Sequence, residues 1–201
     1  MVMTKVYPNA IVLETKEPPS VAADTPIVLT VWKKSLLFNC YGFTVFDSNG
    51  NLVFRVDNYT AGGNAEIVLM DASGRSIFTI RRKRLSLLDN WVVFDGETTA
   101  NPRFTVTKHV NFLGTKSLAH VSVPAPGSRT KKVMYEIEGS YSQRCCGVYD
   151  EKRRRVAEIR AKEAVGGVGF GGDVFRLIVQ QPEIDPTVAM ALVVVLDQMF
   201  M

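Results

Sequence analysis

The sequence predicts a mainly β protein whose antiparallel sheet closes around one apolar helix near the C-terminus. Short runs of β-branched and aromatic residues, each bounded by turn formers, recur from residue 26 onward and are typical of strands. The last segment differs, because it is apolar on every side from Val188 to Leu196. A helix without a polar face belongs either in a protein core or in a bilayer.

The start of this helix is indicated by Asp185-Pro186-Thr187, since aspartate is a preferred N-cap and proline a preferred first helical residue. We therefore predict a core helix over residues 186–200. Its uninterrupted apolar stretch rises only about 14 Å, whereas the hydrocarbon layer of a bilayer is roughly 30 Å thick. The stretch is too short to cross a membrane, so we expect the rest of the protein to surround it.

The remainder of the chain is expected to be one domain of strands. Residues 1–25 contain Pro8, Pro18 and Pro19 and are expected to form an extended lead-in, and residues 26–201 are expected to form the single domain. The predicted strands are Ile27 to Trp32, Phe43 to Phe46, Leu52 to Val56, Ile67 to Met70, Ile77 to Ile80, Trp91 to Phe94, Arg103 to Thr107, Ala119 to Val123, Val133 to Glu138 and Phe175 to Val179.

Three hairpins share one pattern, in which a strand ends at an aspartate, four turn residues follow, and a second strand begins. The aspartates are Asp47, Asp71 and Asp150, and each side chain can accept hydrogen bonds from the backbone of its turn. The first two turns contain Gly50 and Gly74, where a left-handed conformation is expected. Consecutive hairpins form a meander, and a long meander hides its edges by closing.

Composition favours an intracellular soluble protein. The net charge is +4 and the sequence pI is near 9.0, which permits contact with anionic partners without requiring it. Residues 1–10 do not resemble a signal peptide, and no transmembrane segment is predicted. The three cysteines, Cys40, Cys145 and Cys146, have no metal-binding spacing and are expected to be reduced. We expect a cytoplasmic location, with peripheral attachment to a membrane or presence in the nucleus as further possibilities.

Several stretches, taken together and in order, resemble a plant LURP-one-related protein of the tubby C-terminal-like superfamily, which also includes phospholipid scramblases. The resemblance covers the chain from about Tyr7 onward. It implies a tubby-like closed barrel of about twelve mostly antiparallel strands around the C-terminal helix. The matching stretches are Leu29 to Lys33, Phe46 to Gly50, Arg81 to Trp91 leading to Phe94 to Glu97, and Ala191 to Asp197.

For function, the resemblance implies binding of phosphoinositides or other anionic lipids, a relation to membrane-tethered transcription regulators, and a role in plant defence. Fold alone does not determine function. Scramblases carry a calcium-binding acidic cluster just before the final helix, whereas this chain has only Asp173, Glu183 and Asp185 near that place, separated by a predicted strand. We therefore predict no metal site.

Two dense basic runs are the candidate lipid-binding residues. One lies where a predicted strand ends, and the other at the tip of the third repeated hairpin. Arginine suits phosphate oxygens, but charged residues at strand ends also protect a sheet against edge pairing. Because side chains alternate along a strand, only part of either run could bind one ligand. The candidates are Arg81, Arg82, Lys83 and Arg84 in the first run, and Lys152, Arg153, Arg154 and Arg155 in the second.

Catalysis and cofactor binding have little support. His109 and His120 stand alone on predicted strands, and no nucleophile motif accompanies them. The glycine-rich segment from Gly166 to Gly172 lacks the Gly-Lys-Ser/Thr of a phosphate-binding loop and leads into a strand. Because no catalytic motif is found, we predict that the protein is not an enzyme. No nucleic-acid-binding motif is present, so we also predict no direct nucleic-acid partner.

Two functions remain. The first is a non-enzymatic lipid-binding module, favoured by the two basic runs. The second is a lipid-independent soluble interaction scaffold in plant defence signalling, with protein partners that the sequence does not identify. It is favoured by the absence of an evident exposed apolar anchor.

Overall fold

A computed structural model describes residues 25–36, 41–59, 66–83, 86–110, 116–124, 131–163 and 171–201. Within these ranges the chain forms twelve strands followed by one helix. The elements are β1 (Ile27–Trp32), β2 (Gly42–Phe46), β3 (Leu52–Tyr59), β4 (Glu66–Asp71), β5 (Ser76–Arg82), β6 (Asn90–Asp95), β7 (Pro102–Lys108), β8 (Ser117–Pro124), β9 (Lys131–Ser140), β10 (Cys145–Asp150), β11 (Arg155–Ala161), β12 (Val174–Val179) and α1 (Pro186–Phe200).

The strands form one closed barrel. Each strand pairs antiparallel with the next in sequence, and β1 pairs antiparallel with β12, with Ile27 opposite Val179 and Trp32 opposite Val174. The mainly β fold class and the closed antiparallel barrel of twelve strands are thereby confirmed. Closure leaves no unpaired sheet edge.

Helix α1 fills the barrel. The eight residues from Ala189 to Leu196 are each at most 1% exposed, as expected for a helix surrounded by inward-facing strand residues. The predicted buried stretch began at Val188, but that residue is only half-buried because it lies in the first turn, at the mouth of the barrel. Asp185 caps the helix, since its side chain accepts from the Thr187 N–H at 2.7 Å.

The three repeated hairpins have the predicted turn geometry. In each, one carboxylate oxygen of Asp47, Asp71 or Asp150 accepts hydrogen bonds from the backbone N–H groups two and four residues later, at 2.8 to 3.0 Å. Gly50 and Gly74 have φ of 83° and 86°, which glycine adopts without a steric penalty. The third turn places a non-glycine residue in the same region, and that residue belongs to the second basic run.

The barrel has two distinct ends, because the connections of an up-and-down meander alternate between them. We call one the cap end, where Asp185 caps α1 and the β2–β3, β4–β5, β6–β7 and β10–β11 connections lie. The other is the tail end, where α1 finishes and the described residues of the β1–β2, β5–β6, β7–β8, β9–β10 and β11–β12 connections lie. The Lys108 ammonium donates to the Met199 carbonyl at 2.7 Å, which fixes the last turn of the helix at the tail end.

Candidate functional site

The two basic runs lie at opposite ends of the barrel. Arg81 and Arg82 finish β5 at the tail end, and Lys83 follows them in the β5–β6 connection. Residues 152 to 155 lie in and just after the β10–β11 turn, at the cap end. A strand of six or seven residues rises about 20 Å, so one flat surface pressed against either end contacts only one run. The runs are therefore two separate candidate surfaces.

In the first run, the amount of ion pairing falls along the chain. Arg81 donates to the carboxylate of Glu66, its partner across the β4–β5 ladder. The Arg82 Nε donates to Asp89 at 2.8 Å, although most of the Arg82 side chain stays exposed. Lys83 is exposed, and its ammonium forms no ion pair within the described chain. Arg84 lies outside the described residues.

In the second run, Arg153 is held by two carboxylates on the neighbouring strand β9. Its guanidinium donates to Glu136 at 2.7 Å and to Glu138 at 2.9 Å. The hydrogen bond with Glu138 is the largest influence on Arg153 and raises the pKa of its guanidinium. The same group lies 5.0 Å from the centre of the Tyr149 ring. The Arg153 guanidinium is thus held by side chains of the barrel wall.

The other two arginines of the second run are paired as well. Arg154 lies 2.7 Å from the Asp150 carboxylate and 3.7 Å from that of Glu183. Arg155 lies 3.4 Å from Glu158. Lys152 is exposed and has no ion-pair partner among the residues that the structure describes. Local carboxylates therefore neutralise most of the cap-end run.

Charge in the connections differs between the two ends. Among the described connection residues, the tail end carries six cations and three carboxylates, whereas the cap end carries four cations and five carboxylates. The tail end is therefore the more attractive to an anionic surface. The tail-end cations are Lys33, Lys34, Lys83, Lys116, Arg144 and Lys162, and the carboxylates are Asp89, Glu163 and Asp173.

The tail end also exposes apolar side chains. Nine large hydrophobic residues are exposed in the described chain, and seven of them lie at this end. No exposed apolar anchor was expected from the sequence, whereas these apolar side chains are exposed. The one available signal was the pair Leu87-Leu88, placed between Ser86 and Asp89 in a polar connection. The seven are Trp32, Leu36, Tyr41, Leu87, Leu88, Val110 and Met201.

Three of these residues, Leu87, Leu88 and Val110, line an apolar groove of about 370 Å³. Phe200 and Leu118 add to its apolar lining. The Lys108 ammonium lies 4.3 Å from the centre of the Phe200 ring, so the cation and the helix end are held together. The groove is mainly apolar, and one lysine and one carboxylate, Lys108 and Asp89, also belong to its lining.

A buried polar cluster lies beneath the tail end. Arg144 is 3% exposed and lies between the rings of Tyr141 and Phe175, 4.3 Å from each ring centre. Its Nε donates to the Gly172 carbonyl at 2.8 Å. The Tyr141 hydroxyl donates to Asp197 at 3.3 Å, and burial raises the pKa of that hydroxyl. This packing gives the cluster a structural role.

The remaining candidate residues are dispersed. His109 is exposed at the tail end, and His120 is half-buried on β8. Asp173 lies at the tail end, whereas Glu183 and Asp185 lie at the cap end, so the three acidic residues do not meet. Across the described ranges, no three His, Cys, Asp or Glu side chains are grouped to hold a metal. Cys40 and residues 166–170 lie outside the described chain.

Within the part of the chain that the structure describes, no helix combines the length and the apolar character needed to cross a bilayer.

The fold and its charged end define a class of protein: a closed antiparallel barrel threaded by one helix, with an apolar and cationic face where the helix ends. The chain belongs to the LURP-one-related family, whose model matches residues 27–197. It is 54% identical to Protein LURP-one-related 8 of Arabidopsis thaliana over 98% of both chains. It is 44% identical to Protein LURP-one-related 17 of the same plant, over 86% of this chain and 82% of the relative.

A solved structure shares the fold. The X-ray structure of a protein from Arabidopsis thaliana superposes with a TM-score of 0.65 at 28% sequence identity, and the match covers 88% of this chain and 92% of that one. The barrel and its central helix are therefore the architecture of a solved relative as well.

Proposed function

We propose that this protein is a non-enzymatic module that binds phosphoinositides or other anionic phospholipids at a membrane surface, and that it acts in plant defence. The observation that carries the proposal is the excess of cations over carboxylates in the tail-end connections. The proposal includes a relation to phospholipid scramblases and to membrane-tethered transcription regulators, which the resemblance to tubby-like proteins implies.

The contact surface is assigned to the tail end alone. Lys34, Lys83 and Lys116 are exposed or half-buried there, and Arg82 projects most of its side chain beyond its ion pair. Each basic residue near an anionic membrane contributes about 1 kcal/mol, so four or five together give reversible attachment. The arginines of the cap-end run are already bonded to carboxylates, and breaking those pairs would offset a gain from lipid phosphate.

Liposome flotation tests this function. The purified protein is mixed with phosphatidylcholine vesicles with or without phosphatidylinositol bisphosphate, at low and at high ionic strength. We expect flotation with the anionic vesicles at low ionic strength and much less at high, because salt screens the attraction. The variant Arg82→Glu with Lys83→Glu should lose most of the binding.

The matched control is Lys152→Glu with Arg155→Glu, which makes the same change in charge at the cap end. It should float like wild type, and thermal melts should show both variants folded. Equal loss in both variants would mean that net charge, and not the tail end, controls binding. If wild type does not float at low ionic strength, the lipid-binding function fails.

A lipid-independent interaction scaffold in defence signalling is the second candidate. It is favoured by the pairing of Arg153, Arg154 and Arg155 with barrel carboxylates, since those pairs stabilise the fold without any ligand. Absence of flotation, together with an intact melt, is the outcome expected of a scaffold.

A further inference from the structure

We infer that Leu87 and Leu88 form a wedge that enters the acyl region of an anionic membrane, so that the barrel stands on its tail end. This inference rests on the proposed lipid binding and adds the depth and the orientation of attachment. The wedge lies in the β5–β6 connection at the tail end, just before Asp89 and the start of β6.

Both leucines of the pair are exposed to solvent. Leu87 is fully exposed, and Leu88 is 42% exposed, so neither leucine belongs to the core of the barrel. An exposed pair of adjacent leucines costs solvation free energy that burial elsewhere would recover. A membrane buries the pair without any change in the barrel.

The exposed apolar residues gather at one end of the barrel. Val110, Leu36 and Met201 come from other elements, yet they are exposed at the same end as the leucine pair. Apolar residues that surround a single end suit a planar apolar phase. Isolated exposed leucines need no explanation, but seven of nine gathered at one end do.

The charges beside the leucine pair suit an anionic membrane. Arg82 and Lys83 precede the pair and Lys108 lines the groove, while Asp89, the carboxylate in that lining, is paired with Arg82. Beside an inserted apolar residue, lysine and arginine side chains extend along the apolar surface and place their charges at the depth of the lipid phosphates. The cap end carries the carboxylate excess and would be repelled by the same surface, so the axis of α1 points into the membrane with its C-terminal end first.

Flotation of serine variants separates this inference from the proposed function. We expect Leu87→Ser with Leu88→Ser to bind the same vesicles of phosphatidylcholine and phosphatidylinositol bisphosphate about tenfold more weakly than wild type, because two leucines lose apolar burial. The residual binding should remain sensitive to salt. Val28→Ser with Val133→Ser is the matched control, since both valines are exposed on the barrel wall away from the tail end, and it should bind like wild type.

Depth is measured with tryptophan and brominated lipid. Leu87→Trp should show an increase in quenching over wild type by lipids brominated in the acyl chain, and Ser73→Trp, in a cap-end turn, should show none. Leu87→Ser alone provides a second test, because a fully exposed leucine is dispensable for folding.

The outcomes are distinct. If wild type does not float, the proposed function fails and the wedge fails with it. If wild type floats and the serine variants float equally well, lipid binding stands and the wedge is wrong. If quenching increases for Ser73→Trp and not for Leu87→Trp, the orientation is reversed and the inference is overturned.

Discussion

The Lys33 ammonium lies 3.0 Å from the Asp197 carboxylate and joins the connection after β1 to the last turns of α1. Asp197 is only 7% exposed and Lys33 is 25% exposed, so the pair is largely shielded from water. Tyr141, from the β9–β10 connection, also donates to this carboxylate. Three parts of the chain that are distant in sequence are thus tied together at one buried acid.

Loss of one partner of this pair should destabilise the protein. Lys33→Met leaves the Asp197 carboxylate with the Tyr141 hydroxyl alone, and we expect a cost of about 3 kcal/mol, near the lower end for a broken buried pair. Adding Asp197→Leu removes the unpaired charge and should restore part of the loss. Chemical denaturation of the four species of this double-mutant cycle measures the coupling, and additive losses would contradict it.

Truncation of a buried side chain in the central helix should lower the free energy of unfolding. Leu192 is 1% exposed and is surrounded by the barrel, so Leu192→Ala should lower the free energy of unfolding by about 2–5 kcal/mol. Leu192→Asp should yield no folded protein, because the carboxylate would be buried in the barrel without solvation by water. The control is Leu87→Ala, which should leave the thermal midpoint unchanged. An unchanged midpoint in Leu192→Ala would contradict burial.

Glycine in place of Arg153 should relieve backbone strain in the third hairpin. Arg153 has φ of 61° and occupies the position at which the other two hairpins have Gly50 and Gly74. Arg153→Gly and Arg153→Ala both remove the ion pairs with β9, but only glycine relieves the left-handed strain. We expect Arg153→Gly to melt above Arg153→Ala, and above wild type at high salt, where ion pairs are screened. Equal midpoints for the two variants would show that the backbone conformation has no cost.

Acid should destabilise the second hairpin, the one that contains Asp71, within a narrow range of pH. The hydrogen bond from the Ser73 hydroxyl, with backbone donors, lowers the pKa of Asp71 to about 2 from an ordinary value of 3.8. The stabilisation is therefore present above the ordinary pKa and is lost as the pH falls through about 2. The difference in melting temperature between wild type and Asp71→Ala should be full at neutral pH, fall as the pH approaches 2, and vanish only below it. A difference independent of pH would contradict the carboxylate's role.

Local signals in the sequence were sufficient for most of the fold. The helix could be predicted because Asp185 and Pro186 mark its start within three residues, and because its composition excludes a solvent-facing side. The hairpins could be predicted because the hydrogen bonds of Asp47 and Asp71 stay within four residues. Val188 was misplaced because its partial exposure depends on where the barrel mouth lies.

The candidate site was harder to predict from the sequence, because it depends on which residues lie opposite each other on neighbouring strands. The neutralisation of Arg153 requires Glu136 and Glu138, which lie on another strand and align with it only through the β9–β10 pairing. Hydrophobicity alone suggests burial for Leu87 and Leu88, and their exposure follows from the path of the β5–β6 connection. Tertiary geometry decided both features.

The position of α1 in the chain constrains how the protein can fold during synthesis. The ribosome completes all twelve strands before it produces Pro186–Phe200, the segment that fills the barrel. β1 must also wait for β12, which lies nearly 150 residues later, before the ring can close. Nascent strands therefore have neither their core nor their closing partner while they emerge, and the barrel can be completed only after the last turn of α1 has left the ribosome.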